Sequence, residues 1–157
     1  MAPVVRGLVV PRAEDTAGAM SDNLELVLRL REAFGADPDA GAAGDRLIEV
    51  IRPVADPELR SRLSGGAITT EYAGIEGLRR GWDDFLRSFE SVRIQFEDII
   101  EVGDAVVVDL VTVIGVPRGT ELEVEQPAAA IFEFDGERLV RVELHLDRDE
   151  ALRRAAG

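Results

Sequence analysis

Asp109 is the side chain best placed in sequence to do chemistry. It interrupts an apolar run, with Val106-Val107-Val108 before it and Leu110-Val111 after it. A carboxylate buried in such a run needs a partner, and burial raises its pKa toward the range where acids and bases work at neutral pH. On an outer sheet face the same residue would be exposed or paired with an Arg. His145 is the single histidine, and an imidazole titrates near neutrality unaided. It shares one phase of a strand pattern with Arg141, Glu143 and Asp147, opposite Val142, Leu144 and Leu146. That phase leaves two readings, a general base or a residue of the outer sheet face or a subunit contact. Gln126 falls in phase with Val124, Ala128, Ala130 and Phe132, as one polar handle in an apolar pocket or a residue at its mouth. Tyr72 and Trp82 bring a hydroxyl and an indole donor to aromatic surroundings, as ligand contacts or as self-satisfied core. Asp83-Asp84 and Glu97-Asp98 read as solvated faces.

Composition removes much other chemistry. The chain has no Cys, so it has no thiol nucleophile, disulfide or thiolate metal site. All 18 basic residues are Arg, which excludes a Schiff-base lysine and the phosphate-binding lysine of a P-loop. One histidine cannot build a multi-histidine metal site, no EF-hand spacing is present, and no metal or cofactor is expected. A net charge of −13 repels nucleic-acid phosphates and anionic lipid surfaces. No apolar run approaches the length of a membrane span, and Gly7-Leu8-Val9-Val10 is too short for a secretory core, so a cytoplasmic protein is expected.

The elements that must position these residues follow from periodicity. Residues 1–20 lack it and are expected to form a flexible extension, with Met20 as an alternative start, ahead of one domain over 21–157. Leu24, Val27, Leu28, Leu30 and Phe34 predict a helix over 22–34, stopped at Gly35. A polar turn is expected through Gly44, then a second helix capped by Asp45 and ended before Pro53. Asp56-Pro57-Glu58 suggests a short third helical turn, and 67–72 a short strand. Leu78, Trp82, Phe85 and Phe89 make one stripe of a helix over 75–89. Strands are expected at 92–101, 104–116, 121–134 and 138–146, with hairpin turns at Gly103-Asp104, Pro117-Arg118-Gly119 and Asp135-Gly136. Asp147 is placed to cap a last helical turn.

Three stretches carry a resemblance: Tyr72-x-Gly74-x-Glu76-Gly77-Leu78, Ile99-x-x-x-Gly103-Asp104-x-Val106-Val107-Val108, and Leu144-x-Leu146-Asp147-Arg148-x-Glu150-Ala151-Leu152. With the element order, they make residues 22–155 resemble the nuclear transport factor 2-like superfamily, in its polyketide-cyclase (SnoaL-like) branch. The resemblance implies an α+β, cystatin-like cone in which a curved antiparallel sheet packs on three N-terminal helices. It also implies a homodimer across the outer sheet face.

The superfamily's mechanisms transfer poorly. Its ketosteroid isomerases use a helix-one Tyr and two Asp, and the matching positions here are Leu30, a place near Gly65, and Ala130. Its epoxide hydrolases link two carboxylates through an Arg; the last-strand position is Leu144, and Asp109 matches the other if the following loop is two residues longer. The expectation is a protein that binds a hydrophobic small molecule in an apolar pocket lined by Tyr72, Leu78, Trp82, Phe85, Gln126, Phe132, Val142 and Leu144. Acid–base catalysis of isomerase or cyclase type would fall to Asp109. The alternatives are a non-catalytic dimerisation or regulatory module, and a hydrolase or dehydratase using His145.

Overall fold

The computed structural model describes residues 21–35, 40–65 and 68–157. The expected extension over 1–20, Met20 and the Asp37-Pro38-Asp39 turn lie outside them. The elements run α1 (Asp22–Gly35), α2 (Ala40–Ile51), β1 (Ala55–Gly65), β2 (Ile68–Ala73), α3 (Gly74–Arg87), β3 (Phe89–Val102), β4 (Val106–Pro117), β5 (Val124–Asp135), β6 (Arg138–His145) and α4 (Arg148–Ala156). The strands form one curved, unclosed six-stranded sheet in the order β2-β1-β6-β5-β4-β3. The fold class is the expected α+β cone. Every neighbouring pair is antiparallel except β1 with β6, which run parallel.

Each strand's phase decides what it buries. On β4, β5 and β6, Val107, Phe132 and Val142 are in register and pack with Leu24, Val27 and Leu30 of α1 and Leu47 and Ile51 of α2. The alternate residues Val108, Ala129 and Ile131 point to the outer face, where Ala151 of α4 covers them. A strand covered on both sides has no polar face to show, which explains the continuous apolar run of β4. Gly103 and Gly136 turn the β3–β4 and β5–β6 hairpins at φ 62° and 63°, a region open to glycine at little cost. Asp147 caps α4, its carboxylate accepting from the Glu150 N–H at 3.2 Å.

Two local expectations are corrected. Asp56-Pro57-Glu58 starts a strand, not a helix. The Asp56 carboxylate accepts the Glu58 N–H at 2.8 Å, an Asx turn that bends the irregular start of β1. The second helix begins at Ala40 rather than being capped by Asp45. The small residues before Asp45 let it lie close to α3: Ala43 is buried, and a Cβ on Gly44 would collide with the Trp82 indole. Asp45 serves instead as an ion-pair partner of Arg79.

Candidate functional site

Between α1–α3 and the inner sheet face lies a cavity of about 120 Å³. The aromatic stripe of α3 makes one wall. Trp82 stacks on Phe85 at 5.4 Å and meets Phe34 of α1 edge-on at 5.3 Å, and Phe34 reaches Phe96 of β3 at 6.0 Å. The stripe as predicted ran on to Phe89. The helix stops at Arg87, yet Phe89, as the first residue of β3, still packs 5.2 Å from Phe85. The sheet supplies the floor through Ala130, Phe132, Val142 and Leu144.

Two carboxylate residues, Asp109 and Glu143, border this space, and Asp109 is the one in phase with the inner sheet face. Asp109 of β4 is 3 % exposed and lines the cavity. Arg31 of α1 donates to its Oδ1 twice, from Nε at 3.0 Å and from Nη2 at 2.7 Å. Oδ2 receives no hydrogen bond from the described residues. Burial pushes the Asp109 carboxyl up, Arg31 pulls it part of the way back, and the result is about 6. A bulge of β3 shapes the arrangement. The pairing slips between Phe96 and Ile99, opposite Leu110 and next to Asp109, and the Glu97 carbonyl accepts from Arg31 Nη2 at 2.9 Å. The Phe96 ring lies 5.3 Å below the same guanidinium. Arg31 is thus held from three sides, and it aims at one oxygen of Asp109.

Of the residues singled out in the sequence, Tyr72, Leu78, Trp82, Phe85, Phe132, Val142 and Leu144 line the cavity together with Asp109. The Tyr72 hydroxyl is engaged, donating to Asp84 at 2.8 Å, and burial together with that bond raises its pKa. Leu30, Ala130 and Leu144, the residues that the family resemblance sets against catalytic positions, also line the cavity. Gln126 does not. It lies two residues beyond Ala128 along β5, exposed, and its amide donates to the Leu146 carbonyl at 2.6 Å. Strand phase gives the face a residue is on, and Gln126 has run past the cavity's end.

His145 is on the outer face, away from the cavity, in a polar cluster beneath α4. It is 1 % exposed, with Nε2 2.7 Å from Glu143 Oε1. Glu143 also accepts from Arg154 Nε at 2.5 Å, Arg154 Nη2 at 2.9 Å and Arg141 Nη1 at 3.0 Å. Burial alone would raise this carboxyl, but the bonds from His145, Arg154 and Arg141 outweigh it and hold the group well below the usual carboxylate range. His145 does not itself line the cavity; it meets it only through Glu143, which does. Nearby, Arg148 spans Glu97 and the carbonyls of Ala128 and Val111, and its bond to Glu97 lowers that carboxyl. Among the described residues no three carboxylate or histidine side chains gather as a metal site, and no helix is long and apolar enough to cross a membrane.

Several site residues escape a reading by sequence, among them Phe34, Phe96 and the polar side chains of Arg31 and Ser61. For Arg31 the signal was there: Val27, Leu30, Arg31 and Phe34 share one helical face, so an Arg stands in an apolar stripe. Ser61 alternates with Leu59 and Leu63 on the inner face of β1, in a stretch whose strand character was hidden.

An open curved sheet closed on one side by three helices, with an apolar cavity between them, defines the nuclear transport factor 2-like class. The SnoaL-like domain model matches residues 32–142, and the chain belongs to that family. Solved structures agree in fold. A nuclear transport factor 2-like protein of unknown function from Burkholderia pseudomallei K96243 is 20% identical, with a TM-score of 0.63 over 85% of this chain and 97% of that one. A putative SnoaL-like polyketide cyclase from Jannaschia sp. CCS1 is 22% identical, with a TM-score of 0.57 over 78% and 83%. TerC co-crystallised with polyporic acid is 18% identical, with a TM-score of 0.61 over 87% and 98%. None of the curated proteins matches the chain.

Proposed function

We propose that the protein binds a small, largely apolar molecule in this cavity and that Asp109 exchanges a proton with it. The observation that carries the reading is a buried carboxyl at the wall of an apolar cavity, raised to about 6, with Arg31 bound to one of its two oxygens. Such a group passes between its acid and base forms near neutral pH, as general acid–base catalysis requires. The cavity's 120 Å³ approaches the roughly 150 Å³ in which an engineered apolar cavity holds benzene, so one six-membered ring is the natural size of guest. Fold relatives crystallised with small molecules, TerC among them, support the binding half of the reading.

Cyclohexanone in D2O tests the chemistry. A carboxylate base removes a proton next to the carbonyl and returns a deuteron, leaving the ketone otherwise unchanged. Proton NMR at pH 7 is expected to show exchange catalysed by the wild type and lowered about 100-fold or more by Asp109→Asn. Exchange no faster than buffer, with the ketone bound, would leave a binding protein without acid–base activity. We infer as well that two copies associate through the outer sheet face, as the family resemblance implies; a monomer mass by light scattering at micromolar concentration would defeat that.

A further inference from the structure

The cavity wall holds a second polar group that the proton-transfer reading does not use. Ser61 of β1 is 5 % exposed, and its Oγ has no hydrogen-bond partner. Its side chain faces inward. It is in register with Tyr72 on β2 and Val142 on β6, both cavity residues, and it shares the phase of Leu59 and Leu63. Buried hydroxyls almost always find a partner, so an unpartnered one at a cavity wall is a place for a polar atom that enters the cavity.

The other groups on that wall show which kind of atom this is. The Tyr72 hydroxyl already gives its proton to Asp84. Arg31 spends Nε and Nη2 on Asp109 and the Glu97 carbonyl. Arg62, next in the chain, also borders the cavity; its Nη2 bonds Glu71 at 2.9 Å and its buried Nε has no partner, so it is a charged donor beside the neutral Ser61 hydroxyl. Asp109, once ionised, can only accept. The Ser61 O–H is a hydroxyl donor left for a guest, and it sits on β1 while Asp109 sits on β4, with β6 and β5 between them.

We propose that Ser61 selects the ligand, its hydroxyl donating a hydrogen bond to an acceptor oxygen, a carbonyl or ether, carried by a single-ring and otherwise apolar molecule. This rests on the cavity being a ligand site; it does not require Asp109 to be catalytic. A molecule held at Ser61 presents its ring to the aromatic wall of α3 and its far edge to β4. An apolar ring of equal size leaves the Ser61 hydroxyl dry and unbonded, and is disfavoured for that reason.

The test is a pair of rings, cyclohexanone and cyclohexene, titrated by protein NMR at pH 8. There Asp109 is ionised and cannot donate to a ketone. Ser61→Ala is expected to weaken cyclohexanone about three- to tenfold, the worth of one neutral hydrogen bond, while cyclohexene stays within about twofold. Its melting temperature is expected to equal or exceed that of the wild type, because the substitution removes a buried hydroxyl that bonds nothing in the protein. Cyclohexene binding with cyclohexanone indifferent to Ser61→Ala overturns the Ser61 assignment and leaves the cavity as a ligand site. Equal weakening of both rings, or a lower melting temperature, shows a structural serine and also overturns it. Failure of the wild type to bind either ring defeats this proposal and the binding reading together.

Discussion

Asp109 and Glu143 are both buried carboxylates, on opposite faces of one sheet, and the protein shifts them in opposite directions. Burial pushes each upward. Asp109 meets one Arg, bound to a single oxygen, and ends raised to about 6. Glu143 meets Arg154, Arg141 and His145 across both oxygens and ends well below the carboxylate range. Heavier desolvation and fewer charge-assisted bonds together leave Asp109 poised to titrate, while lighter desolvation and more bonds lock Glu143 as an anion. The apolar face holds the poised one and the polar face, with His145, the locked one.

Breaking the locked site has the largest expected effect. Glu143→Gln leaves Arg141, Arg154 and His145 around a neutral amide. It is expected to cost about 3 kcal/mol in urea unfolding at pH 7, the low end for a broken buried pair. The low end applies because Arg141 and Arg154 are 30 % and 39 % exposed. A loss below about 1 kcal/mol would show the cluster to be a surface network.

The poised site leaves a smaller mark, and its sign is opposite. Asp109 holds its proton more tightly folded than unfolded, so its contribution favours the fold at low pH. That contribution is lost as pH rises from about 4 through about 6. A shift of about two units is worth about 2–3 kcal/mol. Asp109→Asn should therefore gain that much on the wild type between pH 4 and pH 7, measured as the change in their stability difference. Glu143 works the other way: its contribution is present above its unfolded pKa and is lost as pH falls below about 4. A stability difference for Asp109→Asn that is flat with pH would mean that Asp109 titrates normally.

The smallest effects sharpen the contrast between one partner and three. Arg31→Met removes the guanidinium that lowers Asp109, so carboxyl-detected NMR should find its titration above 6. Arg141→Met leaves Arg154 and His145 on Glu143, and should cost less than about 1 kcal/mol with Glu143 still ionised at pH 4. Equal movement of the two carboxyls would contradict the partner-count argument.

How much of this could be read in the sequence depended on how local the cause was. The hairpins of β3–β6, the α3 stripe and the Asp147 cap are written in neighbouring residues, and they were legible. Strand β1 was not. Its start, Asp56-Pro57-Glu58, carries helix-opening chemistry, and its parallel partner β6 lies far along the chain with no turn residues to announce it. Ser61 was lost with it. Asp109 stood out because a charge in an apolar run is a local anomaly, but its partner Arg31 is 78 residues away. Gln126 shows the remaining gap: alternation assigns a face, and the length of the cavity along that face is set by how three helices cover it.

The parallel seam between β1 and β6 has a consequence in time. Strand β1 can pair with β2 as soon as both are made, but its other neighbour is the last strand of the sheet. During synthesis the inner wall bearing Ser61 must wait for residues 138–145 before it is backed by sheet on both sides. Pairings of such long sequence separation close slowly, and the unpaired edge is exposed meanwhile. The β3–β5 meander would thus pair as it is made, and the cavity would be the last part of the molecule to exist.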